Sequence, residues 1–265
     1  MNLEGSRAIV TGAAGGIGAA IARRLTERGA SVLLTDLDAD RLASTTADLD
    51  GNVIQLAGDV GDSAHLEALI AAADESFGGV DLFVANAGVF HGFGLDADEQ
   101  DWATSWDVNV MAHVRAARLL VPRWLEGDGG CFAVTASAAG LLTQLGSPTY
   151  STTKHAAVGF AEWLAATYGD RGVQVAALCP MGVRTQMIEA GEVHEDPDAR
   201  LGHAAVTTAG ATLTPEEVAD SLLDAIEAGR FLALPHASVA EMYAKKAADP
   251  DQWLSGMQWF RNSLS

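Results

Sequence analysis

The sequence predicts an α/β protein, a doubly wound sheet of about seven parallel strands with helices on both faces. Short apolar runs at residues 7–11, 31–36, 52–57, 80–85, 130–136, 173–178 and 231–234 alternate with segments of helical period. Strands that each return through a helix lie parallel and are covered on both sides. The chain has 265 residues, 49% of them hydrophobic, and no Pro-, Ser- or charge-rich linker divides it. Residues 1–265 are therefore expected to bury one large core as a single domain. A glycine cluster stands directly after the first run and opens the first helix.

That cluster reads Thr11-Gly12-Ala13-Ala14-Gly15-Gly16-Ile17-Gly18, with the helix running over about 17–28. Glycines between a strand and a helix let the backbone turn sharply and approach a pyrophosphate, whose charge meets the helix N-terminus. The sheet is therefore expected to be of Rossmann type. The second run ends at Asp36, in Leu33-Leu34-Thr35-Asp36-Leu37. Its carboxylate suits the hydroxyls of an adenosine ribose, and it equally suits the cap of the next helix. Leu66, Leu69, Ile70, Ala73 and Phe77 recur at helical spacing behind a Ser63 cap and form one buried stripe. Thr214-Pro215-Glu216-Glu217 supplies an N-cap, a first-turn proline and a capping-box glutamate ahead of Val218, Leu222 and Ile226.

Residues 186–213 follow the sixth run with no clear period and are too long for an ordinary connection. They read either as a partly disordered surface insertion or as a lid over the carboxyl ends of the strands, and the lid is favoured. In the tail at about 236–265, Trp253, Met257 and Phe260 share a helical face suited to a neighbouring subunit, the pocket or the chain itself.

Sixteen basic against 35 acidic residues give a net charge of -19, which repels phosphate backbones and anionic lipid surfaces, so neither nucleic acid nor membrane is an expected partner. The chain starts without a long apolar core and cleavage site, and no apolar run reaches about 18 residues, so a cytoplasmic location is expected. Cys131 and Cys179 fall in buried strand runs and read as reduced core residues. The seven histidines lack metal-ligand spacing, and no metal is expected.

The chemistry concentrates in Tyr150-Ser151-Thr152-Thr153-Lys154, just ahead of a segment that reads as helical from Ala156 onward. On a helix, i and i+4 share a face. A free phenol has a pKa near ~10, and a fixed cation beside it favours the phenolate and lets it exchange a proton with a substrate oxygen. Taken alone, such a pair reads as a surface contact.

Together with the glycine turn, this pair resembles the short-chain dehydrogenase/reductase family, in its shorter single-domain branch, from about Leu3 to Pro235. The spacing of Gly12, Gly16 and Gly18 matches that branch's T-G-x-x-x-G-x-G. Asp59-Val60 matches its adenine-contacting pair, and Asn86-Ala87-Gly88 its N-A-G segment, with Ala85 where a further Asn is usual. Asn109 falls on the catalytic-helix Asn and Ser137 on the catalytic Ser, thirteen positions before Tyr150. Pro180-Met181-Gly182-Val183-Arg184-Thr185 resembles the P-G-x-x-x-T segment that holds the nicotinamide, with Met181 in place of Gly.

The resemblance implies roles. Tyr150 is the acid/base, Ser137 orients the reacting oxygen, Lys154 lowers the Tyr150 pKa and binds the nicotinamide ribose, and Asn109 holds a relay water. Gly12, Gly15, Gly16, Ile17, Gly18, Asp36, Asp59, Val60, Asn86, Ala87, Gly88, Pro180, Gly182, Val183 and Thr185, with Tyr150 and Lys154, would hold the dinucleotide. His113, one turn beyond Asn109, reads as packing or surface. Ala139, Leu145, Met181 and Met187, with Ser137 and Tyr150, would face the substrate, beside further apolar positions such as Phe90 and Leu142. No clear cation stands among them, which suits a fairly apolar secondary alcohol or ketone.

The implied activity is an NAD-dependent alcohol dehydrogenase or carbonyl reductase. A regulatory protein that binds NAD without turnover need not keep Asn109, Ser137, Tyr150 and Lys154 together. A 3-ketoacyl thioester reductase acting on an acidic carrier would favour NADPH and basic residues near the site, and an enoyl reductase resembles a wider Tyr and Lys spacing. NAD is expected over NADP because a 2′-phosphate would meet Asp36, with Ala13, Ala14 and Leu37 offering no cation. Unit charges about 4 Å apart at an effective dielectric of about 20 repel by about 4 kcal/mol, and half of that is roughly thirtyfold. Small residues such as Ala112, Ala116, Ala157 and Gly159 on the helices after Asn109 and Tyr150 suggest close packing between copies, and a homotetramer is expected.

Overall fold

The computed structural model describes residues 1–264. Every predicted run becomes a strand: β1 (Arg7–Thr11), β2 (Ser31–Thr35), β3 (Val53–Gln55), β4 (Leu82–Ala85), β5 (Gly130–Thr135), β6 (Val173–Leu178) and β7 (Leu232–Ala233). Among the described residues these seven form one sheet in the order β3-β2-β1-β4-β5-β6-β7, with all neighbours parallel. The longer central strands are buried along nearly their whole length, and the edges are short, which limits exposed ladder groups.

Alternation divides the core. Ile9, Leu33, Phe83, Phe132 and Val175 point to one face and Val10, Leu34, Val84, Ala133 and Ala176 to the other. The first face is covered by α3 (Ser63–Phe77), α5 (Ala112–Glu126) and α6 (Pro148–Tyr168), the second by α1 (Gly16–Glu27), α2 (Ala39–Ala47) and α9 (Pro215–Glu227). Cys131 and Cys179 are free, buried and on opposite faces.

The predicted α9 cap is present in full: Thr214 Oγ1 accepts from the Glu217 amide at 3.2 Å, and Glu217 Oε2 accepts from the Thr214 amide at 2.8 Å. Two helix starts differ from expectation. The α3 cap is Asp62, which accepts from the Ala64 amide, and Ser63 is the first helical residue. Asp and Ser cap about equally well, and it is Asp62 whose backbone is extended as a cap requires. Helix α6 begins at Pro148 behind a Ser147 cap, well before Ala156, so Tyr150 and Lys154 both lie inside it. A capping serine followed by an N1 proline is a start signal.

The stretch at 186–213 holds two helices, α7 (Gln186–Glu192) and α8 (Pro197–Ala209), although its sequence shows no clear period. The tail forms α10 (Ala237–Ala248) and α11 (Pro250–Ser263), and α4 (Glu99–Trp106) leads through a π turn at Asp107–Met111 into α5. No described helix is long and apolar enough to cross a membrane.

Candidate active site

Strand order reverses between β1 and β4, and the loops leaving their carboxyl ends meet there. Gly12 has φ +64°, and a Cβ on it would lie 2.8 Å from Ala87 Cα. A Cβ on Gly18 would lie 2.1 Å from the Gly12 carbonyl oxygen and 2.6 Å from Asn86 Nδ2. The chain's own 86–87 segment therefore already requires these glycines. Asn86 Nδ2 donates to the Thr11 and Gly12 carbonyls at 2.9 and 3.2 Å, and Thr11 Oγ1 accepts from the Asn86 and Ala87 amides, each at 2.9 Å. Asp36 follows β2, with Oδ2 accepting from the Ala14 amide at 3.0 Å and Oδ1 from the Asp38 amide at 3.2 Å. Of its two readings the cap is taken away, because Asp38 caps α2.

The proton-handling groups come from β5, α6 and the loop after β6. Ser137 Oγ accepts from the Ala139 amide at 3.1 Å and lies 3.4 Å from the Pro180 carbonyl oxygen, and Tyr150 lines the same cavity. Lys154 Nζ donates to the Thr135 carbonyl at 2.9 Å and stands 5.5 Å from the Tyr150 ring centre. Burial pushes Lys154 down to about 8, while burial pushes Tyr150 up and Ser137 pulls it back. The expected lowering of Tyr150 by Lys154 does not appear in this state; desolvation of the phenolate is the larger effect. Phe90 meets the Tyr150 ring edge-on at 4.9 Å.

Asn109 sits in the π turn, where the Ala112 amide reaches the Asp107 carbonyl. Its Oδ1 accepts from the Val89 amide at 2.9 Å, and its Nδ2 donates to the Val89 carbonyl and Thr153 Oγ1, each at 3.0 Å. It pins the 86–89 loop to α6.

These loops enclose a cavity of about 1420 Å³, above the roughly 300–1,000 Å³ of a small-molecule site. One wall holds Gly12, Gly15, Gly16, Ile17, Gly18 and Asp36, and another Asn86, Ala87 and Gly88. Pro180, Val183 and Thr185 face the glycine turn, with a Cβ on Gly16 only 3.1 Å from Thr185 Cγ2. Ser137, Tyr150 and Lys154 stand beside Ala139, Leu145, Met181 and Met187, and α7, α8 and the tail complete the wall.

Four expected residues lie outside this wall. Asn109 lies behind it, and Gly182 is turned toward Thr212 and Val206. Asp59 Oδ1 accepts from the Gly61 amide, and the Val60 side chain is buried in the core. His113 is a neutral core residue, pushed down to about 3 by burial, with both ring nitrogens unpartnered among the described residues.

A model of the short chain dehydrogenase family matches residues 6–196. The chain belongs to the short-chain dehydrogenase/reductase family. It is 30% identical to the 1-deoxy-11-beta-hydroxypentalenate dehydrogenase of Streptomyces avermitilis, over all of this chain and 97% of that one. It is 34% identical to 3beta-hydroxysteroid dehydrogenase 2 of Eggerthella lenta, over 82% of this chain and 85% of that one. The crystal structure of a short chain dehydrogenase/reductase from Burkholderia phymatum in complex with NAD matches with a TM-score of 0.86 at 30% identity, over 95% of this chain and 96% of that one.

A dinucleotide of the kind this family's fold holds fits the residues present. Helix α1 starts with no side-chain cap and no acidic residue in its first turn, and Gly16 and Ile17 line the cavity. Its first N–H groups are thus left for an anion.

Sequence reasoning missed two contributors that packing brings in, His236 and Arg41. His236 Nδ1 accepts from the Met181 amide at 3.2 Å, and its Nε2 faces the Gly182 and Ala211 carbonyls at 3.2 and 3.1 Å. The ring is therefore the Nε2–H tautomer, and it holds the loop in which Met181 replaces Gly. Arg41 reaches the glycine turn from α2. Trp253, Met257 and Phe260 line the cavity from the tail, so their shared face meets the pocket. Neither His236 nor Arg41 carries a local sequence signal.

Proposed function

We propose that this short-chain dehydrogenase/reductase transfers a hydride between NAD and a fairly apolar secondary alcohol or ketone, with Tyr150 as the acid/base. The observation that carries the reading is the convergence of Ser137, Tyr150 and Lys154 on the cavity whose other wall is the glycine turn and Asp36. When bound, the nicotinamide supplies the hydride acceptor or donor. Gly12, Gly15, Gly16, Ile17 and Gly18 receive the pyrophosphate, Asp36 accepts from the adenosine ribose hydroxyls, and Pro180, Val183 and Thr185 orient the nicotinamide end.

Ser137 Oγ donates to the substrate oxygen while Tyr150 Oη takes its proton in oxidation or gives one in reduction. The Lys154 ammonium, held by Thr135, stabilises the phenolate as it forms and bonds the nicotinamide ribose. Substrate packs on Ala139, Leu142, Leu145, Met181 and Met187, with Trp253 and Phe260 closing the far side. A relative named as a hydroxysteroid dehydrogenase supports an apolar secondary alcohol. Helices α7 and α8 act as the lid. The chain works as a homotetramer packed through α5 and α6, where Trp163 is left 53% exposed.

The test is NADH formation from NAD over a panel of secondary alcohols of graded size and polarity. Turnover of apolar members supports the reading, and turnover of none of them, with the corresponding ketones also inert, removes it. Light scattering at micromolar concentration decides the assembly, and a monomer would be inconsistent with it.

A further inference from the structure

His236 stands where three parts of the cavity wall meet. It is the N-cap residue of α10, whose Met242 and Lys245 line the cavity, yet its buried side chain caps nothing there. The ring turns instead to the loop after β6, where Nδ1 accepts from the Met181 amide at 3.2 Å. On its other side, Nε2–H is shared between the Gly182 carbonyl at 3.2 Å and the Ala211 carbonyl at 3.1 Å. Ala211 belongs to the end of the 186–213 stretch, and the next residues are stitched to the same loop. The Leu213 amide donates to the Gly182 carbonyl at 3.0 Å, and the Arg184 amide to the Leu213 carbonyl at 2.9 Å. One imidazole therefore joins the loop, the end of the lid and the start of the tail.

The joint needs a neutral ring. A neutral imidazole offers one acceptor and one donor, and this site uses both. A proton on Nδ1 would set an N–H against the Met181 N–H, while the bonds from Nε2 would persist. Burial is the larger influence on the ring and holds His236 below its ordinary 6.5, whereas Glu217 in the first turn of α9 favours the protonated form. Arg184 acts on Glu217, and the Cys179 thiol, pushed up to about 12 by burial, stays uncharged.

We propose that His236 is a positioning residue for the nicotinamide. While neutral, it holds residues 180–185 and the end of the lid in the arrangement that the nicotinamide half of the dinucleotide requires, and its protonation loosens that half alone. The inference rests on the dinucleotide reading of the cavity and adds a proton-sensitive support to one end of it.

Calorimetry on the full chain compares NAD with ADP-ribose, which keeps the adenosine and pyrophosphate and lacks the nicotinamide. His236→Ala should raise the Kd of NAD about tenfold and that of ADP-ribose by less than about twofold. His236→Asn, whose amide oxygen takes the place of Nδ1, should restore most of the NAD affinity; His236→Gln, which reaches the place of Nε2, should restore less. In the unaltered chain the Kd of NAD should rise as pH falls below 6.5, by at most about tenfold per pH unit for one proton, with ADP-ribose flat. His236→Asn should remove that rise. Equal weakening of both ligands in His236→Ala overturns the proposal, as does unchanged NAD affinity or an acid rise that survives in His236→Asn. If neither ligand binds the unaltered chain, the dinucleotide reading itself fails, an outcome distinct from these.

Discussion

Lys154 Nζ is fixed to the Thr135 carbonyl oxygen at 2.9 Å, and this bond sets where the ammonium stands relative to the Tyr150 ring, 5.5 Å away. Burial acts on both groups but in opposite directions, because it disfavours whichever form is charged. Lys154 moves down toward neutrality and Tyr150 moves up toward the neutral phenol. Reaching a phenolate thus depends on the charge and hydrogen bonds that the complete site adds, Ser137 among them.

Tyr150→Phe removes the proton-transferring oxygen and leaves the ring that packs on Phe90. Its kcat is expected to fall by about 10²–10⁴ with dinucleotide binding retained. Stopped-flow turnover together with calorimetry measures both; a kcat near that of the unaltered chain would dismiss Tyr150 as the acid/base.

The buried Lys154 also ties stability to pH. Its folded pKa is lowered from 10.5 to about 8, so between these values the unfolded chain holds a proton that the folded chain has shed. This group's contribution to stability therefore rises as pH climbs through that window and is flat below it. Cys131 and Cys179, pushed up to about 12 by burial, act in the opposite sense above pH 9, so the single chain shows a mixed profile. Comparing urea unfolding of the unaltered chain and of Lys154→Met cancels Cys131, while Cys179, whose thiolate Lys154 favours, adds in the same direction above pH 9, so the difference should favour the unaltered chain increasingly from pH 8 upward. A flat difference would contradict the burial effect.

Gly18→Ala places a Cβ 2.1 Å from the Gly12 carbonyl oxygen, and neither backbone can retreat without opening the Asn86 contacts. A loss of about 2 kcal/mol or more in urea unfolding is expected, apart from any effect on binding. If Gly18→Ala kept full stability and lost only dinucleotide affinity, the glycine would serve the ligand and not the packing.

The tail is expected to act on substrate. Lys246 Nζ donates to the Leu141 and Leu142 carbonyls at 2.8 and 2.5 Å, bracing the segment between Ser137 and Tyr150 that carries Leu142 into the cavity. Trp253→Ala and Lys246→Met should each raise KM for bulky apolar alcohols, by about tenfold for Trp253→Ala, with a smaller effect on small ones. Equal effects across alcohol size would point to a general loss of structure, which thermal unfolding would register.

The sequence by itself determined whatever rests on local spacing. Alternating apolar runs placed all seven strands, the four residues opening α9 placed its cap, and the i, i+4 relation put Tyr150 and Lys154 on one face. Glycines 12, 16 and 18 were legible from their spacing between the first strand and the first helix, and the contacts that require them became visible only in the fold. Only the tertiary structure decided the rest, because those features depend on what a side chain meets far along the chain. Arg41 lies 27 positions from Ala14, His236 lies 55 from Met181, and Lys246 lies over 100 from the carbonyls it holds. Asn109 was legible as a site residue, and its hydrogen bonds to Val89 and Thr153 arise when α5, α6 and the 86–89 loop pack together. Asp59 and Val60 were legible too, and the tertiary structure adds that Asp59 Oδ1 holds the Gly61 amide while the Val60 side chain enters the core.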